Sequence, residues 1–316
     1  MTGIVHLDYA LPEHALEVEE LFALAGRTIP EGQTLETYAA DYRRSFGIER
    51  VLVEERRDEL EMLTPLLERF FAERHATPAE IDLLICNVDS NRKCDSYDPY
   101  AVLASLQRRF GMEKSVVFAV GQACSSTLFA SRLADSLFTT GEYQNALYLS
   151  TSRVTRNDQR DIGVTLLSDG VGLLYLHRDA TKLRLVDTIS ATHGCYEQAT
   201  IDPMRVDVTA KMKVIQSGAK TVRDILVRNG LTVRDLVVMV PQNLNVGGWN
   251  TYARLLELDL DIVKLDNVKD GHIGDVDIIR NLADRQRERP LASGENALLY
   301  SSGWGTSWNS ALLRGG

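Results

Sequence analysis

AVGQACSST, residues 119–127, places one cysteine between an apolar run typical of a β-strand, SVVFAV (115–120), and one typical of a helix, STLFASRLADSLF (126–138). Small residues surround Cys124 on both sides. A core cysteine needs no such clearing, whereas a nucleophile needs room for its substrate. We therefore predict a reactive thiol at the start of a helix, where the helix dipole favours the thiolate. The alternative is a lone cysteine that only packs in the core.

Composition excludes several classes of protein. The 316 residues include 44% hydrophobic and 25% charged residues, as in ordinary globular proteins, and the net charge of −9 argues against a partner made of nucleic acid. No apolar run reaches the roughly 18 residues that would predict a membrane-spanning helix, so no membrane is expected among the partners. The N-terminus lacks the layout of a secretion signal. Four cysteines without paired spacing (86, 94, 124 and 195) predict reduced thiols in a cytoplasmic protein, and the scattered histidines predict no metal site.

Apolar strand-like runs alternate with amphipathic helical runs along the chain. The runs that predict buried strands are IDLLICNV (81–88), SVVFAV (115–120), NALYLSTS (145–152), VGLLYLH (171–177), LRLVDTIS (183–190), DLVVMVP (235–241) and NALLYSSG (296–303). Helices are predicted over 58–75, 100–111 and 219–230. Continuous apolar strands are buried on both faces, which indicates a sheet covered by helices. The predicted fold class is α/β.

Three short patterns recur in the same order and at nearly the same offset. TPAEIDLLICN (77–87) is echoed by TVRDLVVMVPQ (232–242), RLAD (132–135) by NLAD (281–284), and the run at 145 by the run at 296, at offsets of 149 to 155 residues. We infer two related halves, residues 1–170 with the nucleophile and residues 171–316, packed as one body.

The duplication gives Cys124 a partner. The same offset carries Cys124 to within one residue of His272, in the segment DGHIGDVD (270–277) that precedes the second helix. If a pseudo-twofold axis relates the halves, thiol and imidazole face each other across it, and the imidazole can exchange a proton with the thiol. The alternative for His272 is an ordinary surface loop.

At these residues the sequence resembles the ketoacyl synthase III branch of the thiolase superfamily. The matching motifs are the cysteine loop VVFAVGQACSST, the Asp-Gly-x-Gly element in TLLSDGVGLLYL (165–176) and the closing strand YSSGWGTSWNSALLR (300–314). The resemblance implies a thiolase fold, with two pseudo-twofold related halves in five αβαβα layers. It also implies a homodimer, with SVVFAV supplying part of the interface.

The catalytic set departs from the family pattern. The family's Pro-His-x-x-Asn reads Pro241-Gln242-Asn243-Leu244-Asn245, so glutamine takes the place of the histidine, and the family's Gly-Asn reads Gly271-His272. The resemblance places Gln242 and Asn245 at the pocket, although both side chains can equally satisfy backbone groups at a strand end. Backbone N–H groups at Cys124 and in the closing loop, at Trp304 and Gly305, are the candidate oxyanion hole.

The replacement of the family's histidine and asparagine by Gln242 and His272 affects condensation more than it affects the transfer of an acyl group to the Cys124 sulfur. The expected activity is acyl transfer from a coenzyme A or carrier-protein thioester to Cys124 and then to an oxygen, nitrogen or sulfur acceptor, with no permanently bound cofactor. The alternatives are decarboxylative condensation, with His272 and Gln242 or Asn245 binding the malonyl carbonyl, and a non-catalytic subunit of a heterodimeric synthase.

Basic residues near the expected pocket mouth have two interpretations. Arg44, Lys211, Lys213 and Lys220 are either docking residues for the phosphates of coenzyme A or an acidic carrier protein, or simply a solvated face. His193 is a further candidate pocket residue.

Overall fold

A nine-stranded sheet with helices on both sides organises the part of the chain that the computed structural model describes, residues 2–87, 98–194, 208–303 and 307–316. Its strands are β1 (Gly3–Ala10), β4 (Leu83–Asn87), β5 (Val116–Val120), β6 (Asn145–Ser152), β7 (Gly170–His177), β8 (Leu183–Thr192), β9 (Leu236–Pro241), β10 (Asn296–Gly303) and β11 (Ser307–Gly315); β2 (Ala15–Glu17) and β3 (Arg50–Leu52) pair separately. The α-helices are α1 (Val18–Leu24), α2 (Leu35–Phe46), α3 (Glu59–Ala72), α4 (Pro99–Phe110), α5 (Ser126–Phe138), α6 (Val208–Arg228), α7 (Val246–Leu256) and α8 (Val276–Glu288).

The sheet consists of two half-sheets. The order is β5-β4-β6-β7-β1 in one and β8-β11-β10-β9 in the other, and the single pair Gly3–Arg184 between β1 and β8 joins them. In each half a parallel arrangement of two or three strands continues into antiparallel strands.

The two halves repeat one topology. β1, β4, β6 and β7 correspond to β8, β9, β10 and β11, and a one-residue parallel bridge between Met239 and Val263 stands where the first half has β5. This repetition, together with the helix placement below, confirms the predicted α/β thiolase fold with two related halves. The division at residues 170 and 171 stays a prediction; because β7 pairs with β6 and β1, we favour a junction after His177.

Helices form three of the five layers. α3 and α4 cover the outer face of the first half-sheet, α6 and α7 cover that of the second, and α5 and α8 lie between the half-sheets. In this middle layer Leu128 of α5 and Ile279 of α8 are buried in one apolar cluster with strands of both halves. Burying such a side chain stabilises the fold by about 1.5–3 kcal/mol.

The predicted strands and helices lie close to where the sequence places them, with two corrections on burial. LRLVDTIS is predicted to be a buried strand, but in β8 only Leu183 and Leu185 are buried and most other residues are half-buried. SVVFAV is likewise predicted to be a buried strand, yet most of β5 is only half-buried and Val116 is 46% exposed. The reason is its position: β5 is the edge strand of the sheet and pairs only with β4. Among the helices of the described residues, none has both the length and the apolar character needed to cross a bilayer.

Candidate functional site

The loop that carries Cys124 is a tight turn between β5 and α5. Ala123 has φ +48°, a left-handed conformation that costs a residue with a side chain about 1–2 kcal/mol. Ser126 supports the turn, because its Oγ donates to the oxygen of Ala123 (2.7 Å) and accepts from the nitrogen of Gln122 (3.0 Å). The thiol thus lies at the start of α5, only 5% exposed.

The closing strand β11 fixes this loop from the other half. Oγ of Ser307 donates to the oxygen of Gln122 (3.1 Å), and Nδ2 of Asn309 donates to Oγ of Ser125 (2.9 Å). Gly303 at the end of β10 lies so close that an added Cβ would be 2.2 Å from the oxygen of Gln122. The glycine is therefore needed for the close approach of this segment to the nucleophile loop.

His272 is held by backbone pairing with the segment before β7. Its nitrogen donates to the oxygen of Leu166, and its oxygen accepts from the nitrogen of Ser168, both at 2.8 Å. Gly271 precedes it with φ +74°, and a Cβ there would be 2.8 Å from the Leu166 oxygen. These backbone contacts fix the position of the main chain of His272, from which the imidazole extends.

Asp277 orients the imidazole. Nδ1 of His272 donates to Oδ2 of Asp277 at 2.5 Å, and both side chains are buried. Burial lowers the pKa of His272, but the charge of Asp277 and the sulfur of Cys124 outweigh it and raise that pKa to about 10. Nε2 is buried, and no hydrogen bond of ordinary length and angle joins it to a described residue. It is the ring nitrogen available to the sulfur of Cys124, whose interaction contributes to the raised pKa. In enzymes without substrate, catalytic hydrogen bonds are often long or poorly aligned.

Asp277 is itself fixed by buried donors. Asn243 donates to it twice, from its backbone nitrogen (2.6 Å) and from Nδ2 (3.0 Å), and the nitrogen of Ile273 donates at 2.9 Å. Nδ2 of Asn281 in turn donates to Oδ1 of Asn243 (2.8 Å). Three donors besides the imidazole hold the carboxylate in a fixed orientation.

A second carboxylate, Asp275, joins the starts of the two middle helices. It accepts hydrogen bonds from Asn87 (2.9 Å), Thr127 (3.1 Å) and the hydroxyl of Tyr148. Complete burial raises its pKa to about 6 despite these bonds. Through these hydrogen bonds Asp275 connects the starts of α5 and α8 to Tyr148 of β6.

The Asp-Gly-x-Gly element supports α8. Asp169 forms a fully buried ion pair with Arg160, with paired contacts of 3.0 and 2.8 Å. An added Cβ would be 2.9 Å from Ile273 at Gly170 and 2.9 Å from Ile279 at Gly172. Both glycines let β7 lie directly against the segment that carries His272 and Asp277.

Gln242 and Asn245 are committed to backbone groups. The side-chain amide of Gln242 donates from Nε2 to the oxygen of Ser302 (3.1 Å) and accepts from the Ser302 nitrogen. Asn245 caps α7, accepting from the nitrogen of Gly248 (2.5 Å) and donating to the oxygen of Val164 (2.7 Å). The structure thus favours the strand-end and capping interpretation of both residues.

The remaining candidates are separate from the thiol–imidazole pair or are not described. Arg44 is exposed and pairs with Asp41, Lys220 pairs with Asp224, and Lys213 is exposed on α6. Trp304 and Gly305, with the side chain of Lys211, lie outside the described residues. The His193 ring is exposed, with its centroid 6.0 Å from that of Trp308.

Asp277 is not among the residues that the sequence indicates. An aspartate in the first turn of a helix is commonly explained by the helix dipole alone. Its only signal was the spacing within DGHIGDVD, where one acidic residue follows the histidine by five positions and begins the predicted helix.

Comparison with known proteins agrees with the fold. The family model "3-Oxoacyl-[acyl-carrier-protein (ACP)] synthase III C terminal" matches residues 226–315. A beta-ketoacyl-[acyl-carrier-protein] synthase III of Pasteurella multocida is 24% identical over 74% of this chain and 77% of its own. The solved 3-oxoacyl-[acyl-carrier-protein] synthase III of Aquifex aeolicus superposes with a TM-score of 0.83 at 20% identity, covering 99% of this chain and 100% of that one. The acyltransferase ChlB3 superposes with a TM-score of 0.83 at 18% identity, covering 99% and 97%.

Proposed function

Because the chain is a ketoacyl synthase III-like protein of the thiolase superfamily, we propose that it is an acyltransferase that uses Cys124, His272 and Asp277. The donor is a thioester of coenzyme A or of an acyl carrier protein, and the acceptor is a small molecule with an oxygen, nitrogen or sulfur nucleophile. One observation carries the proposal: an imidazole beside the thiol, aligned by a buried carboxylate.

The first step acylates the sulfur. With a pKa of about 10, His272 holds its proton at neutral pH, and we propose that it rests as an imidazolium beside the Cys124 thiolate. The thiolate attacks the donor carbonyl, and the tetrahedral intermediate collapses by breaking the donor's carbon–sulfur bond. His272 gives its proton to the departing thiolate, which leaves as a thiol.

The second step needs a base, and acylation creates one. The sulfur of Cys124 carries no charge once it is acylated, so it no longer raises the pKa of His272. Since His272 gave its proton to the departing thiolate in the first step, its imidazole is then neutral. The neutral imidazole, aligned by Asp277, takes the proton of the acceptor as the acceptor attacks the thioester. Collapse of this intermediate expels the Cys124 thiolate and restores the resting ion pair.

The position of Gln242 favours transfer over decarboxylative condensation. Condensation needs donors for the carbonyl of a malonyl thioester, and the Gln242 amide is already bound to the backbone of Ser302. The likeness in fold to the acyltransferase ChlB3 is compatible with transfer. A non-catalytic subunit would have no use for a buried imidazole–carboxylate pair beside a thiol.

We also propose a cytoplasmic homodimer in which Arg44, Lys211, Lys213 and Lys220 dock the donor. Arg44 and Lys220 are exposed but each is paired with a carboxylate, so docking would exchange these partners for phosphate or carrier carboxylates.

The test is intact-protein mass spectrometry with a panel of acyl-coenzyme A and acyl-carrier donors, followed by acceptors. We expect a stable mass increase of one acyl group that alcohol, amine or thiol acceptors discharge without release of carbon dioxide. Release of carbon dioxide from a malonyl thioester, with a ketoacyl product, would establish condensation instead. No acylation by any donor would favour the non-catalytic subunit.

A further inference from the structure

Two histidines and a glutamate, one from β1 and two from the end of α3, lie close together. His6 belongs to β1, Glu73 ends α3, and His75 follows two residues later. Their candidate ligand atoms all lie within 4.8 Å of one another. The rings of His6 and His75 stack with centroids 3.7 Å apart, and Nε2 of His75 lies 2.9 Å from Oε2 of Glu73.

We propose that His6, Glu73 and His75 bind one divalent transition-metal ion of the zinc type. Two imidazole nitrogens and one carboxylate oxygen are a ligand set typical of Zn²⁺, whereas Mg²⁺ and Ca²⁺ prefer oxygen ligands. Metal–ligand distances of about 2.0–2.2 Å put ligand atoms roughly 3.3 Å apart in a tetrahedral site. Because the rings of His6 and His75 stack in the structure, ion binding requires both side chains to rotate until one nitrogen of each ring faces the shared ion.

The backbone between the two later ligands brings them to the same side. Arg74 has φ +59°, a left-handed conformation that side chains disfavour. This turn after α3 directs both Glu73 and His75 towards β1, where His6 lies. The nearby carboxylate of Asp8 is bound to Arg69 and Arg287, so it is not counted among the ligands.

His6 has a ring nitrogen that an ion would satisfy. Its Nε2 is buried and has no hydrogen-bond partner among the described residues. A buried polar atom without a partner is unfavourable, and a metal ion is one partner that a neutral imidazole accepts.

The site is open to an ion from solvent. The side chains of His75 and Glu73 are 28% and 54% exposed, and His75 lines an open groove of about 840 Å³. A water molecule from the groove would supply the fourth ligand. The bound ion would connect β1 to the end of α3 and so stabilise the folded chain.

The test is titration of the full chain with Zn²⁺ by calorimetry and with Co²⁺ by visible absorption. Cys124→Ala protein with its solvent-accessible thiols alkylated is used, so that no accessible thiol binds the metal; Cys86 is buried and needs no alkylation. We expect one ion per chain, no binding of Mg²⁺, and a higher thermal unfolding temperature with Zn²⁺. His75→Gln and Glu73→Gln should each weaken binding at least about tenfold. His14→Gln is the matched control, because His14 is an exposed histidine beside Glu55 (3.7 Å) and should leave binding unchanged.

His6→Asn adds the third ligand to the test, and thermal unfolding without metal shows whether this variant folds. If it does not fold, His75→Gln and Glu73→Gln decide the question. Absence of stoichiometric Zn²⁺ binding, or binding that His75→Gln and Glu73→Gln leave unchanged, would overturn the proposal.

Discussion

Thr127, three residues after the nucleophile, donates a hydrogen bond of 2.9 Å to the backbone oxygen of Asp275, three residues after His272. The bond ties together the starts of α5 and α8, which come from opposite halves of the chain. Since each helix start carries one of the two reactive side chains, this contact helps fix the distance between thiol and imidazole.

Thr127→Val should destabilise the chain. Thr127 is buried, and its loss as a donor leaves Asp275 with fewer partners in a fully buried position. The expected loss in the free energy of unfolding is about 1–3 kcal/mol by urea titration. Ser136→Ala on the same helix is the control, because Ser136 is exposed and should cost less than about 0.5 kcal/mol. Equal effects of the two changes would show that the link is unimportant.

Cys124→Ala should remove the acyl mass increase entirely. The sulfur is the proposed nucleophile, and the loss in turnover should be at least about 10³-fold. Cys86→Ala is the control, because Cys86 is a buried thiol on β4 that packs in the outer apolar cluster. Acylation that persists in Cys124→Ala would refute the assignment.

His272→Ala should slow the second step more than the first. A thiolate at the start of α5 can form without a base, whereas an alcohol or amine acceptor still has to lose a proton. We expect the acyl-enzyme to accumulate, with acceptor transfer about 10²–10⁴-fold slower in single-turnover measurements. Normal transfer in His272→Ala would exclude the imidazole as the base.

Asp277→Asn should lower the pKa of His272 towards its ordinary value, because it removes the negative charge at Nδ1. The imidazolium should then be lost at lower pH, and the pH profile for alkylation of Cys124 by iodoacetamide should change with it. Glu288→Gln, on the same helix but exposed and paired with Lys264, is the control. An unchanged profile in Asp277→Asn would show that the carboxylate does not act through His272.

The stability of the chain should depend on pH through the same group. The pKa of His272 is raised from 6.5 to about 10 on folding, so its stabilisation is complete below about pH 6.5 and is lost as pH rises through about 10. The difference in free energy of unfolding between wild type and His272→Gln should shrink across this range in urea titrations. Asp275 acts in a lower range: because its pKa is raised from 3.8 to about 6, its contribution to stability is complete below about pH 3.8 and is lost as pH rises through about 6. A difference that does not vary with pH would contradict the raised pKa.

Much of the fold follows from the sequence because its signals are local. Apolar runs of strand length and amphipathic helices are visible in the sequence, and the repeated patterns at 77, 132 and 145 give the pairing of the halves. Burial of β5 was not predictable in this way, since SVVFAV is apolar whether its neighbour is a strand of the same chain or something else.

Some residues of the candidate site can likewise be predicted from local sequence patterns, and others cannot. Cys124 and His272 are indicated by position, because both precede helices that the repeat identifies. Asp277 and the commitment of Gln242 to Ser302 depend on side-chain directions between segments distant in sequence, which no local pattern encodes.

The one-residue bridge at Val263, which stands where the first half has β5, shows how far the two repeats have diverged around a shared plan. An assembly of two identical half-length chains would have the same residue at both helix starts, because a twofold axis makes equivalent positions identical. It would therefore present two thiols or two imidazoles, and never one of each. Joining the halves in a single polypeptide removes that constraint, so that each repeat can mutate alone. A nucleophile facing its proton carrier is thus an asymmetry that gene fusion makes possible.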